Sequence, residues 1–210
     1  MCQFIETLRI EEERIMNLEA HEKRMNDTIK DFFPQASRVD LRKHIMLQEH
    51  TTRTKCHIEY NNALLSVSYH PYRPRQVHSL WLTECNTINY SYKYKNRNLL
   101  QLLYDQRCHC DDILIVKNGF VTDTSIANIA VYDGFQWYTP AHPLLKGTQR
   151  ALLLRQGILK EKDITPQELF HFQKLCTINS MLDFEEMEFR ISNQTIRSSF
   201  ASRLPETGNS

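Results

Sequence analysis

The sequence predicts an α/β chain of two domains, and three observations lead there. Period-two apolar patterning surrounds one amphipathic helix in the first 90 residues. Further on, the continuous run Ile113-Leu114-Ile115-Val116 reads as a buried strand, and turn signals follow at Asn118-Gly119 and Asp133-Gly134. With 210 residues, 41% hydrophobic and 24% charged, the chain can bury a sizeable core, and Gly 5 and Pro 7 exclude collagen-like or low-complexity sequence.

In order along the chain, Glu6 to Ile10 suit a strand with Ile5, Thr7 and Arg9 on one face and Glu6 and Leu8 on the other. Asn17 can cap a helix that carries Leu18, Met25, Ile29 and Phe32 on one stripe and stops before Pro34. His21 and Arg24 are one turn apart on it. Lys55 to Glu84 read as a small meander: Ile58 and Tyr60, a turn near Asn61-Asn62, then Leu65, Val67 and Tyr69, then Leu80 and Leu82. The stretch Asn86 to Ser91 is the one plausible boundary, giving a small domain over 1–90 and a larger one over 91–210. In the second domain a helix is expected around Leu99 to Tyr104, then the strand at Ile113. Strands over Ile126 to Tyr132 and Phe135 to Tyr138 follow. Gly147 opens an apolar helix, Thr165-Pro166-Gln167-Glu168 starts another, and Leu175 to Met181 can be a strand.

Lys+Arg 26 against Asp+Glu 25 leaves a formal charge of +1, so no broad field attracts nucleic acid or an anionic membrane, and any anion site must be local. The start carries Glu6 and has no apolar signal core, and no stretch reaches the length of a membrane span, which predicts a cytoplasmic protein. The six cysteines are expected to be reduced thiols. Cys108-His109-Cys110 lacks a second ligand pair, so no metal is expected. Leu204-Pro205-Glu206-Thr207-Gly208 matches the sortase sorting pentapeptide, but only Asn209 and Ser210 follow it, and a polar tail is the reading.

Three pieces suggest a ligand bearing phosphate. Lys146-Gly147-Thr148-Gln149-Arg150 stands at a helix start, where free backbone N–H groups and the helix dipole meet an anion. Arg24 offers a bidentate fork. Lys93-Tyr94-Lys95-Asn96-Arg97 concentrates cations among aromatic rings beside the expected boundary.

The order of these pieces carries a resemblance. Phe4-Ile5-Glu6-Thr7-Leu8-Arg9, His21-Glu22-Lys23-Arg24, Lys93-Tyr94-Lys95-Asn96-Arg97, Val121 to Asn128, Tyr138-Thr139-Pro140 and Lys146 to Arg150 together resemble the class IV aminotransferases from Met1 to about residue 182. These are pyridoxal-phosphate enzymes of fold type IV. The fold implied is that of D-amino-acid aminotransferase: a small N-terminal domain, a larger C-terminal one, and the cofactor in the cleft. The family includes branched-chain and D-amino-acid transaminases and aminodeoxychorismate lyase of folate biosynthesis. The lysine block with its Asn-Arg pair looks most like the lyase branch.

The resemblance implies a role for each matching residue. Lys93, three before the Asn of Lys-x-x-Asn-Arg, becomes the lysine that bonds the cofactor aldehyde and shuttles the proton at the substrate's Cα. Lys95 and Arg97 would help to lower its pKa. Arg24 grips the cofactor phosphate, and the backbone amides of Thr148 and Gln149 cap it. Asp123 stands where the family has a glutamate facing the pyridine nitrogen, with Ser125 and Asn128 around the ring. Thr7 and Arg9 face the substrate, Arg9 toward a carboxylate. Two departures accompany this. The chain begins within a turn that family members reach after further residues, so part of the small domain is expected to be absent, and Gly147-Thr148-Gln149-Arg150 replaces Gly-Ile-Thr-Arg. The expected reaction is release of pyruvate and 4-aminobenzoate from 4-amino-4-deoxychorismate by a homodimer, with no nucleic-acid or membrane partner. A transaminase for branched-chain or D-amino acids stands beside it, and a degenerate scaffold that binds the cofactor or nothing stands further off.

Overall fold

A computed structural model describes residues 2–47 and 52–198. The pentapeptide at Leu204 therefore lies outside the described residues. The chain divides into two compact units, 1–74 with 90–97 and 75–89 with 98–210, so the segment that carries Lys93 belongs to the first unit and residues 75–89 to the second.

In the first unit, strand β1 (Phe4–Glu11) pairs antiparallel with β2 (Arg14–Ile15), and helix α1 (Leu18–Phe32) follows. Asn17 is the helix N-cap but sits in the left-handed region at φ 55 and makes no side-chain capping bond. Strands β3 (Thr54–Tyr60) and β4 (Leu64–Pro71) complete a sheet in the order β2-β1-β3-β4. Strand alternation puts Phe4, Leu8 and Ile10 on one face of β1, and Cys56, Ile58 and Tyr60 on the matching face of β3. These residues pack with Leu18, Met25 and Ile29 of α1 into one core. The expected inward run Leu65-Val67-Tyr69 is corrected at its first member. A bulge opposite Glu59 and Tyr60 inserts one residue, so Leu64 joins the core while Leu65 is exposed.

The second unit runs β5 (Leu80–Glu84), α2 (Asn98–Asp105), β6 (Asp112–Lys117), β7 (Phe120–Thr124), β8 (Asn128–Tyr132), β9 (Trp137–Pro140), α3 (Thr148–Arg155), β10 (Leu159–Lys162), β11 (Lys174–Ile178), β12 (Glu188–Arg190) and β13 (Ile196–Arg197), and its strands build a second, mixed sheet. The expected meander over 55–84 is broken here. β5 pairs parallel with β6, and β6 is a non-local partner that no local pattern announces. Asn118 and Gly119 both take positive φ, 52 and 82, which matches the tight hairpin expected between β6 and β7. In place of the helix expected from Thr165 there is one short 3-10 turn at Glu168–His171. Its start is capped reciprocally, with Thr165 N–H and hydroxyl donating to the Glu168 carboxylate and Glu168 N–H to the Thr165 oxygen. No described helix is long and apolar enough to cross a membrane.

Candidate active site

Glu6 is the anomaly of the first unit. It shares the inward face of β1 with Phe4, Leu8 and Ile10, and it is fully buried. A charge there is tolerable only when paired and hydrogen-bonded. α1 supplies both partners from one turn. Arg24 donates from Nε to Glu6 Oε1 at 2.8 Å and from Nη2 to Oε2 at 2.6 Å, while His21 Nδ1 lies 2.7 Å from Oε2. Burial opposes the charge on Glu6, but the Arg24 guanidinium and the bonds from His21 and Arg24 outweigh it, holding the carboxyl down at about 2. His21 is lowered, first by burial, although its bond to Glu6 works the other way.

Lys93 enters the same neighbourhood from the chain's return into the first unit. Its carbonyl accepts from Ile5 N–H at 2.9 Å, Lys95 N–H donates to the Gln3 carbonyl at 2.9 Å, and Tyr94 bridges antiparallel to Phe4. The segment is therefore fastened to the free edge of β1 beside Glu6. Burial lowers the Lys93 amine to about 8, helped by the positive charges of Arg24 and Arg97 and opposed by Glu6. Of the two cations expected to assist, Arg97 does so, whereas Lys95 is held by Glu59 at 2.7 Å. Arg24, far back in the sequence on α1, is the stronger influence.

Thr7 and Arg9 lie on the opposite face of β1 from Glu6. Thr7 is partly buried and sits across from His57 on β3; Arg9 is buried and ion-paired with Glu11. The structure thus separates these two from the Glu6 cluster by the thickness of the strand.

The second unit carries the other expected residues. Asp123, on β7, is buried and accepts from Asn128 Nδ2 at 2.5 Å and from the backbone N–H groups of Leu144 and Leu145. Burial pushes its carboxyl up to about 6 against those donors and the nearby Arg150 charge. Asn128 also donates to the Leu145 carbonyl at 2.8 Å, tying β8 to the loop ahead of α3. Ser125 is buried, and its N–H donates to Asp112 at 3.3 Å. Gly147 is the N-cap of α3 and offers no side-chain cap, while Thr148 is buried and Gln149 partly so. The described residues hold no group of His, Cys, Asp or Glu able to bind a metal.

Sequence reading gave Glu6 and His21 no role. The signal was present: an acid at an inward position of an apolar strand demands partners, and a histidine and an arginine one turn apart on the following helix are the natural ones.

The residues fit pyridoxal phosphate on their own chemistry. The cofactor calls for an amine that is partly neutral, and Lys93 is lowered to about 8. It calls for a cationic fork for phosphate, and Arg24 keeps Nη1 without a hydrogen-bond partner among the described residues. A helix start whose N-cap glycine makes no side-chain cap, and a buried carboxylate that accepts from three donors, are both present as well.

Comparison with known proteins agrees. The model of amino-transferase class IV matches residues 3–184. A Haemophilus influenzae protein of uncharacterised function is 34% identical over 185 residues, spanning 86% of this chain and 98% of its own. A Schizosaccharomyces pombe protein, provisionally named an aminodeoxychorismate lyase, is 41% identical over 61 residues, 28% of this chain and 26% of that one. A crystal structure from Haemophilus somnus, provisionally titled a 4-amino-4-deoxychorismate lyase, superposes with a TM-score of 0.81 at 33% identity, over 86% of this chain and 97% of that one. The PLP-bound form of a Mycobacterium tuberculosis protein of hypothetical aminotransferase function shares the fold, with a TM-score of 0.74 at 17% identity over 98% of this chain and 84% of that one. This chain therefore belongs to the class IV aminotransferase family and is a pyridoxal-phosphate-dependent enzyme of the aminotransferase or lyase kind.

Proposed function

We propose that this protein is a 4-amino-4-deoxychorismate lyase that releases pyruvate and 4-aminobenzoate. The observation that carries the reading is the likeness to the Haemophilus somnus protein, 33% identical along 97% of that chain and provisionally named as this lyase. Bound pyridoxal phosphate supplies an electron sink for the bond pair left when a proton is removed next to the amino group. Lys93 takes that proton, because a partly buried amine lowered to about 8 is partly neutral near pH 7 and accepts one readily. The same amine returns a proton as the enolpyruvyl group departs, so substrate, pyruvate and aromatic product balance with no water or oxidant. Arg24 holds the phosphate, and the amides at Thr148 and Gln149 cap it. Asp123 keeps the pyridine nitrogen protonated, with Asn128 and Ser125 fixing its surroundings. The resemblance assigns Thr7 and Arg9 to the substrate, but they lie on the other face of β1 from Glu6, so no step here rests on them. The reading includes a small-molecule substrate, a homodimer and a cytoplasmic location.

Its test is the visible spectrum of the purified protein with added pyridoxal phosphate, beside Lys93→Ala, followed by borohydride reduction and peptide mapping. A coloured, reducible band that maps to Lys93 is expected. Pyruvate must then form from 4-amino-4-deoxychorismate without a keto-acid acceptor. Turnover only with an acceptor would make the protein a transaminase, and a protein with neither band nor adduct at saturating cofactor would not be a catalyst of this family's chemistry.

A further inference from the structure

The residue that organises the Lys93 neighbourhood touches neither end of the expected chemistry. We propose that Glu6 is a positioning residue, a single buried carboxylate that clamps the Arg24 guanidinium and the His21 ring so that Arg24 presents its remaining N–H edge to the cofactor phosphate in one orientation. The inference rests on the pyridoxal-phosphate reading.

Arginine carries five N–H donors in a planar fork. Glu6 engages Nε and Nη2 through its two oxygens at 2.8 and 2.6 Å, the paired geometry that fixes a guanidinium in its own plane. The Nη1 edge then has one direction available, and the Arg24 side chain remains 17% accessible while the Glu6 side chain is sealed. His21 closes the arrangement. Its Nδ1 bond to Oε2, in a ring that is itself fully buried, prevents the Glu6 carboxyl from turning out of the plane it shares with Arg24. All three residues are anchored on regular elements: Glu6 lies between Phe4 and Leu8 on β1, and His21 and Arg24 are one turn apart on α1, whose apolar face packs in the same core. Presentation by a rigid scaffold is what makes a charged group effective at a ligand, since no side-chain entropy is lost when the ligand arrives. A free arginine on that helix would carry the same charge but would lose rotamer freedom on binding.

Glu6→Asp separates position from charge. The carboxylate stays in place but is one methylene shorter and can no longer reach both nitrogens of the fork. The readout is binding, not turnover: dissociation constants for pyridoxal phosphate and for pyridoxal, which lacks the phosphate, measured by fluorescence with wild type and variant. We expect Glu6→Asp to weaken pyridoxal phosphate about tenfold and pyridoxal less than about twofold, the scale found when a group that orients a ligand-binding residue is altered. Equal weakening of both ligands, or of neither, overturns the proposal while leaving the cofactor reading intact. Wild type that binds neither, or binds both alike, overturns the cofactor reading as well.

A second measurement needs no change at Glu6. The Nε–H proton of Arg24, assigned in the NMR spectrum by its loss in Arg24→Lys, is expected to exchange slowly with water before any ligand is added and to keep its chemical shift on adding pyridoxal phosphate. Rapid exchange in the ligand-free protein, or a large shift on binding, would mean that Arg24 is reoriented by the ligand and was not held by Glu6.

Discussion

Asn128 Oδ1 occupies the space where a side chain on Gly147 would begin: a Cβ at that glycine would lie 2.0 Å from it and 3.2 Å from Asn128 Cγ. The backbone at Gly147 is ordinary, with φ −66, so it is this close approach and not left-handed geometry that demands glycine there.

Gly147→Ala therefore has to push Asn128 aside. The same amide that would move donates to Asp123 at 2.5 Å and to the Leu145 carbonyl at 2.8 Å, so both bonds are strained together. Overpacking of this kind costs about 1–3 kcal/mol. Urea unfolding checks it, and the cycle with Asn128→Ala is decisive: with Asn128 shortened, Gly147→Ala should lose most of its effect, a coupling of about 0.5–3 kcal/mol. Additive effects would refute the contact.

Asp123 gives an unusual pH dependence. Its carboxyl stands at about 6 in the fold against an ordinary 3.8, so between those values the folded protein holds a proton that the unfolded chain does not. Stability contributed by this group is thus fully present at acid pH and falls as pH rises from about 4 to about 6, by about 3 kcal/mol over the window. Unfolding free energies for wild type and Asp123→Asn at pH 4, 5, 6 and 7 read the difference in slope; parallel curves would refute it. Near pH 7, above its value of about 6, the group is charged and accepts from three donors.

Glu6 and His21 act with the opposite sign. Glu6 at about 2 lies below its ordinary 4.5, so its contribution is complete above about 4.5 and is lost as pH falls toward 2. His21 is lowered from 6.5, so below that value the unfolded chain takes up a proton that the folded ring resists, and stability again falls with pH. His21→Gln keeps a hydrogen-bonding side chain beside Glu6 and cannot titrate. It should flatten the stability profile just below pH 6.5 and leave the lower-pH loss in place, as thermal melts across pH 3 to 7 would record.

Patterning made β1, α1 and β6 legible, because each buries one face or both with a period that the sequence displays. β7 was not legible. Phe120-Val121-Thr122-Asp123-Thr124 is polar at three of five positions, yet its last four residues are buried, their polar groups satisfied by partners such as the Ile115 carbonyl and the Ala127 carbonyl that only the folded chain supplies. The exchange of Leu64 for Leu65 arose from a bulge, which no alternation rule foresees. Pairing of β5 with β6 is set by a connection of nearly thirty residues that carries the chain through the other unit. The site divides in the same way. Lys93 could be nominated from the order of a few neighbours, but the charges that act on it come from Glu6 on β1 and Arg24 on α1, and their meeting is a property of the fold.

That meeting makes the Lys93 amine a reporter of its surroundings. At about 8 it is lowered from 10.5, so at pH 7 the fraction of neutral, reactive amine is about 300-fold above that of an ordinary lysine. The groups that act on it are burial, then Arg24 from α1, Glu6 from β1 and Arg97 from its own segment, and each has a definite sign. Removing a positive neighbour with Arg24→Met or Arg97→Met should raise the midpoint and slow modification at pH 7. Removing the negative one with Glu6→Gln should lower the midpoint and speed it. The check is the pH dependence of reductive methylation at Lys93, followed by peptide mass spectrometry in cofactor-free protein. A midpoint near 10.5 in wild type, or movement of the Arg24→Met and Glu6→Gln variants in the same direction, would refute this account of Lys93.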